Sequence, residues 1–141
     1  MNSTSAQAYE LRVVGWVRSP LRNVADAPRQ GDEGAPDAVL ELDPSVEPAL
    51  AGLEAGSAIV VLTWLHLADR STLAVHPRGD LTRRLTGVFA TRAPDRPNPV
   101  GLHEVPVLGV DGPQVTVSGL EAVDGTPILD MKPVLAGVQD R

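Results

Sequence analysis

The chain has 141 residues, no cysteine and a formal net charge of -6. Disulfides and thiolate metal sites are thereby excluded, and so is a uniformly basic nucleic-acid binder. Apolar residues make up 43%, enough for one ordinary domain with its own core, expected over residues 9–136 between flexible ends at 1–8 and 137–141.

Glycines and prolines, thirteen of each, interrupt the chain every few residues and favour short strands over long helices. Met1 to Ala8 is polar, with no apolar signal core, and no run approaches the roughly 20 apolar residues of a membrane span; a soluble, cytoplasmic protein is expected. Tyr9 to Val17 is the first strand candidate, and Val17-Arg18-Ser19-Pro20 turns its end at a proline. Asn23 to Asp37, rich in Pro, Gly and charge, reads as a mobile loop and carries Pro28-Arg29-Gln30. Ala38 to Leu42 is a second strand, and Pro48 to Ala55 a short helix ahead of Gly56.

Ala58 to Leu65 is nearly continuously apolar, which predicts a strand buried on both faces. It runs out into His66, Asp69 and Arg70. Polar groups at a strand's end often line a cleft; the alternative for His66 is a satisfied core histidine. Strands over Thr72 to Val75 and Gly87 to Thr91 follow. Leu102 to Val110 and the alternating Gln114 to Ser118 are joined by Asp111-Gly112, a hairpin signal. Asp124-Gly125-Thr126-Pro127 is a second tight turn, with Gly125 available for positive φ, and Ile128 to Met131 is the last strand. Many short strands with turn signals predict a mainly β barrel or sandwich rather than βαβ repeats.

Charge is unevenly spread. Gln30 to Asp69 holds eight acids and no Lys or Arg, whereas Arg70 to His103 holds six arginines against Asp80 and Asp95. A local basic patch remains possible within an acidic chain. His66, His76 and His103 form no paired ligand motif, so a zinc site is not expected, and the dinucleotide fingerprint, the P-loop and the GxSxG elbow are all absent. The most distinctive stretch runs from Gly87 to Gly101. Arg92 and Arg96 sit four apart in a loop stiffened by Pro94, Pro97 and Pro99. A core does not need two arginines and Asn98 on a rigid loop; an anionic or multiply hydrogen-bonding ligand does. Asp130 and Lys132, the only lysine in the chain, would share one face of a strand, either as site residues or as a surface ion pair.

Together these segments resemble the TrmO/TsaA-like family. The matching pieces are Gly15-Trp16-Val17-Arg18-Ser19-Pro20, Ala27-Pro28-Arg29-Gln30, Gly52-Leu53-Glu54, His66, Gly87 to Gly101 and Asp124 to Pro133. The family's known members are S-adenosylmethionine-dependent methyltransferases acting on N6 of threonylcarbamoyladenosine beside the tRNA anticodon. The resemblance implies a small β-barrel with few short helices, unlike the Rossmann methyltransferases, acting as a homodimer with S-adenosylmethionine near the subunit interface. The family's cofactor positions fall on Pro28, Arg29, Gln30, His66, Arg92, Val123, Asp124, Gly125 and Thr126.

Arg96 and Asn98 are then expected to hold the acceptor, Lys132 to assist in binding it, and His66 or Asp69 to serve as base if one is needed. The family's Lys-Pro-Tyr is Lys132-Pro133-Val134 here, and the chain is expected to lack the C-terminal domain of longer bacterial members. A small-molecule acceptor on the same fold, or a dimer that binds an adenosine ligand without catalysis, are the alternative readings.

Overall fold

The structure, a computed structural model, describes residues 7–23 and 34–135. It is mainly β. Among the described residues eight strands occur in chain order: β1 (Gly15–Arg18), β2 (Ala38–Leu42), β3 (Ala58–Trp64), β4 (Ala74–Val75), β5 (Thr86–Gly87), β6 (Val100–Asp111), β7 (Gln114–Val117) and β8 (Pro127–Pro133). Six of them close into a barrel in the order β1-β2-β7-β6-β3-β8, and β4 and β5 form a separate ribbon. Neighbouring strands run antiparallel throughout.

Alternation builds the core. Every second residue of β6 from Gly101 to Val107 is buried, and on β3 the buried set is Ile59, Val61 and Thr63. Val17, Leu40, Val61, Val115, Val117, Leu120 and Ile128 are wholly buried, so β-branched side chains fill most of the interior, as pleated strands favour. β3 is not buried on both faces as its apolar run predicts. Its outer residues Val60, Leu62 and Trp64 are only half-buried, because the barrel wall is one layer thick there.

Other boundaries shift for identifiable reasons. The strand predicted over Tyr9 to Val17 begins only at Gly15, where pairing with Leu42 and Ile128 starts; Tyr9 and Leu11 stand exposed. The strand predicted over Gly87 to Thr91 ends at Gly87. Thr91 donates both its amide and its hydroxyl to the Val88 carbonyl at 3.1 Å, winding Val88–Ala90 into a 3-10 turn. The helix predicted over Pro48 to Ala55 is a 3-10 helix over Pro44–Leu50, started by the Asp43 side chain accepting from Ser45 N at 2.9 Å. The Asp111-Gly112 hairpin forms as predicted, with Gly112 at φ 58°.

The register gathers three connections at one rim. Trp64 pairs with Val100, Thr63 with Ile128 and Trp16 with Pro127. The end of β1, the insertion between β3 and β6, and the turn entering β8 therefore share one end of the barrel.

Candidate active site

The insertion between β3 and β6 folds back onto itself at this rim. Leu65 N donates to Pro99 O at 2.8 Å, and Arg96 N donates to Asp69 O at 3.0 Å. Asp69 N donates to Oδ1 of Asp95 at 2.8 Å. The turn carrying His66, Asp69 and Arg70 and the proline-stiffened loop over 91–99 are thus one unit. Arg70 stacks over the Trp64 ring at 5.0 Å. Its Nε donates to Pro97 O at 2.8 Å and its Nη2 to Oδ1 of Asn98 at 3.1 Å.

The two arginines of the loop face opposite ways. Arg96 is turned inward: its Nη2 donates to the carbonyls of Val88 and Thr91, the latter at 2.7 Å. Its Nε is buried without a partner. Arg96 therefore braces the loop from beneath, rather than presenting the open fork that the sequence suggests. Arg92 is exposed and makes no hydrogen bond or ion pair to any described residue.

A second unit faces this one on the rim. The turn over Val123, Asp124, Gly125 and Thr126 is tied to the end of β1: Gly125 N donates to Val17 O at 2.7 Å, Asp124 N to Leu21 O at 2.6 Å, and Val17 N to Thr126 O at 2.9 Å. Oδ1 of Asp124 accepts from Ser19 N at 2.9 Å, and Thr126 closes the turn through its hydroxyl on Val123 O at 2.7 Å. Gly125 is exposed at φ +83°, with open space around it. Such a turn admits close approach of a ligand to backbone. It joins the Arg18-Ser19-Pro20 segment to the Asp124-Gly125-Thr126 segment, more than 100 residues apart in the chain.

Asp69 is less basic than an ordinary carboxylate. The Ser71 hydroxyl, at 2.6 Å, and then its amide, at 2.7 Å, hold the carboxyl below the usual range. An anion so stabilised accepts hydrogen bonds well and takes up a proton poorly. His66 is exposed in the turn after β3, so it is not a satisfied core histidine. Lys132 lies away from the rim, opposite Val60 on the outer wall, 3.7 Å from Asp130. Both partners are more than half exposed, so the pair is worth well under about 1 kcal/mol. Pro28, Arg29 and Gln30 lie outside the described residues.

Arg70 stands out in the sequence at the end of β3, but its partners, 27 and 28 residues away, lie beyond any local pattern, and His103 carries no such signal as a site residue. His103 is buried inside the barrel, between Oγ1 of Thr63 at 2.7 Å and Oε1 of Glu121 at 2.5 Å. Its place on the inward face of an alternating strand is the one signal that pointed to it. Among the described residues no group of three or more His, Asp or Glu could hold a metal ion, and no helix is long and apolar enough to cross a membrane.

Comparison with known proteins gives a consistent result. Residues 16–140 match the family described as the tRNA-methyltransferase O N-terminal domain. The chain is 49% identical over 129 residues to a probable S-adenosyl-L-methionine-binding protein of Methanothermobacter thermautotrophicus, covering 92% of each chain. It is 44% identical to a protein of the same name from Archaeoglobus fulgidus, covering 88% of this chain but 33% of that one. The crystal structure of TrmO from Pseudomonas aeruginosa superposes with a TM-score of 0.74 at 33% identity, over 96% of this chain and 61% of that one. The chain thus spans nearly all of the first of these proteins and less than two thirds of the other two.

Proposed function

The chain belongs to the tRNA-methyltransferase O N-terminal domain family, and from that membership and the rim geometry we propose that it is an S-adenosylmethionine-dependent methyltransferase acting on tRNA. The observation that carries the reading is the juxtaposition on one rim of a braced, proline-stiffened loop with an open arginine and a glycine turn open to backbone contact. The relatives' names support the choice of cofactor. The donor set fits it: an unpaired guanidinium suits a carboxylate, and an exposed glycine turn suits a flat adenosine.

In this reading Arg92 takes the cofactor's methionine carboxylate. The backbone of Val123, Asp124, Gly125 and Thr126 borders the adenosine, with His66 beside it. S-adenosylmethionine supplies a methyl group already activated on sulfur. The chain's own contribution is alignment, which in-line displacement rewards heavily. Asn98, fixed by Arg70, and the loop braced by Arg96 hold the acceptor nitrogen on the methyl's axis; Lys132, beside Asp130 on the outer wall and away from the rim, takes no part. Asp69 stays ionised and orients through hydrogen bonds, leaving His66 to receive any proton.

The acceptor we favour is N6 of threonylcarbamoyladenosine in tRNA. The arginine-rich stretch from Arg70 to Arg96 supports a polyanionic substrate, since every arginine in it except Arg96 is exposed. A cytoplasmic location follows from that substrate. Exposed Leu73, Leu81, Leu85 and Phe89, the last 89% exposed, cluster on the β4–β5 ribbon and its flanks, which supports a homodimer through this lobe. The net charge of -6 is the observation favouring a small-molecule acceptor instead. Transfer of a labelled methyl group from the cofactor decides between them: label in the tRNA fraction supports the first reading, and cofactor turnover only with small amines supports the second.

A further inference from the structure

The polar chain inside the barrel carries an inference that rests on the reading of the 123–126 turn as a cofactor site. Thr63 is fully buried on β3 and His103 is 5% exposed on β6. The imidazole is bonded at both nitrogens, to Oγ1 of Thr63 at 2.7 Å and to Oε1 of Glu121 at 2.5 Å. The barrel makes room for the ring through Gly101, where a Cβ would come 2.7 Å from His103 Nε2. Placing an imidazole among valines and leucines costs free energy unless both nitrogens are satisfied. A leucine would fill the same space without that cost, so packing alone does not account for it.

Glu121 lies two residues before Val123, on the connection from β7 to β8. Leu120 and Ala122 on either side are buried in the core. Those apolar contacts set the depth of the segment but have no direction. The carboxylate's bond to His103 does have one, and it fixes how the segment is rotated about its own axis. At its far end the turn is held by Ser19, Leu21 and Val17. The turn is therefore anchored to β1 on one side and, through Glu121 and His103, to β6 and β3 on the other.

We propose that His103 and Glu121 are positioning residues that set the orientation of the 123–126 turn, and hence cofactor affinity, without touching the cofactor. The test uses the full chain, titrated calorimetrically with S-adenosylmethionine well below the melting temperature, with hydrogen exchange read over residues 119–126. Glu121→Ala is expected to weaken binding about tenfold and to speed exchange in this segment. Glu121→Gln keeps an acceptor oxygen for the imidazole and is expected to stay within about threefold of the parent. Thr63→Val, which loosens the ring from the far side and leaves Glu121 in place, provides a second route should Glu121→Ala fold poorly; a loss of about threefold is expected.

A purely structural role would lower stability and leave affinity and its rescue by Gln unmoved. Parent-like affinity in Glu121→Ala and Thr63→Val would overturn the proposal while leaving the cofactor reading intact. No binding by the parent chain would overturn both.

Discussion

Arg92 and Arg96 stand four residues apart on one loop and take opposite parts in it. Sequence alone marks both as ligand-binding cations, because it shows charge and rigidity but not direction. In the folded chain Arg96 is spent on the carbonyls of Val88 and Thr91, and Arg92 is left to solvent. Arg92→Ala should therefore weaken S-adenosylmethionine binding by about tenfold or more while leaving the unfolding midpoint nearly unchanged; calorimetric titration beside a thermal melt checks both. Asp69 gives a prediction in pH. Ser71 lowers its carboxyl pKa in the folded chain, so its contribution to stability is complete above about pH 4. It is lost as pH falls further, through the lowered folded value. Asp69→Asn should flatten the acid limb of stability against pH, lowering stability at neutral pH by that contribution and converging on the parent in acid. An acid limb identical to the parent's would contradict the assignment.

At the scale of elements, period-two alternation and turn residues made most strands legible. Ala38 to Leu42 and the Asp111-Gly112 hairpin form where the pattern puts them. What local pattern does not carry is the competition for a carbonyl, which winds Val88–Ala90 into a 3-10 turn. Nor does it carry the absence, among the described residues, of a layer outside β3, which leaves the outer face of an apolar strand only partly buried. The candidate site was legible as segments and not as an assembly. The Asp124 turn and the Ser19 turn were each visible, but only barrel closure brings them within 2.9 Å. Gly101 reads as the end of the proline loop, yet its role is steric. Gly101→Ala would press a methyl group against Thr63 and to within 2.7 Å of the His103 ring. It should cost about 1–3 kcal/mol, visible as a lower denaturant midpoint, and should weaken cofactor binding as well. A silent Gly101→Ala would mean that the Thr63–His103 contact is loosely held.

At the scale of the whole molecule, the sequence divides into an acidic barrel and an arginine-rich insertion, and the fold keeps that division by placing the insertion on the rim with the candidate site. Binding of tRNA through the insertion should weaken as salt rises, with a log–log slope set by the few phosphates that its exposed arginines can reach. Replacing Arg83 and Arg84 together with serine should lower that slope by about two. A salt-independent affinity would argue for a small acceptor.

The most direct measurement is methyl transfer itself. The purified chain is incubated with S-adenosylmethionine and tRNA bearing threonylcarbamoyladenosine, and the digested nucleosides are weighed by mass spectrometry. This nucleoside is expected to gain the mass of one methylene net, and Arg92→Ala to reduce the gain sharply. An unmodified nucleoside, from a chain that still binds the cofactor and binds the tRNA, would contradict the proposed activity.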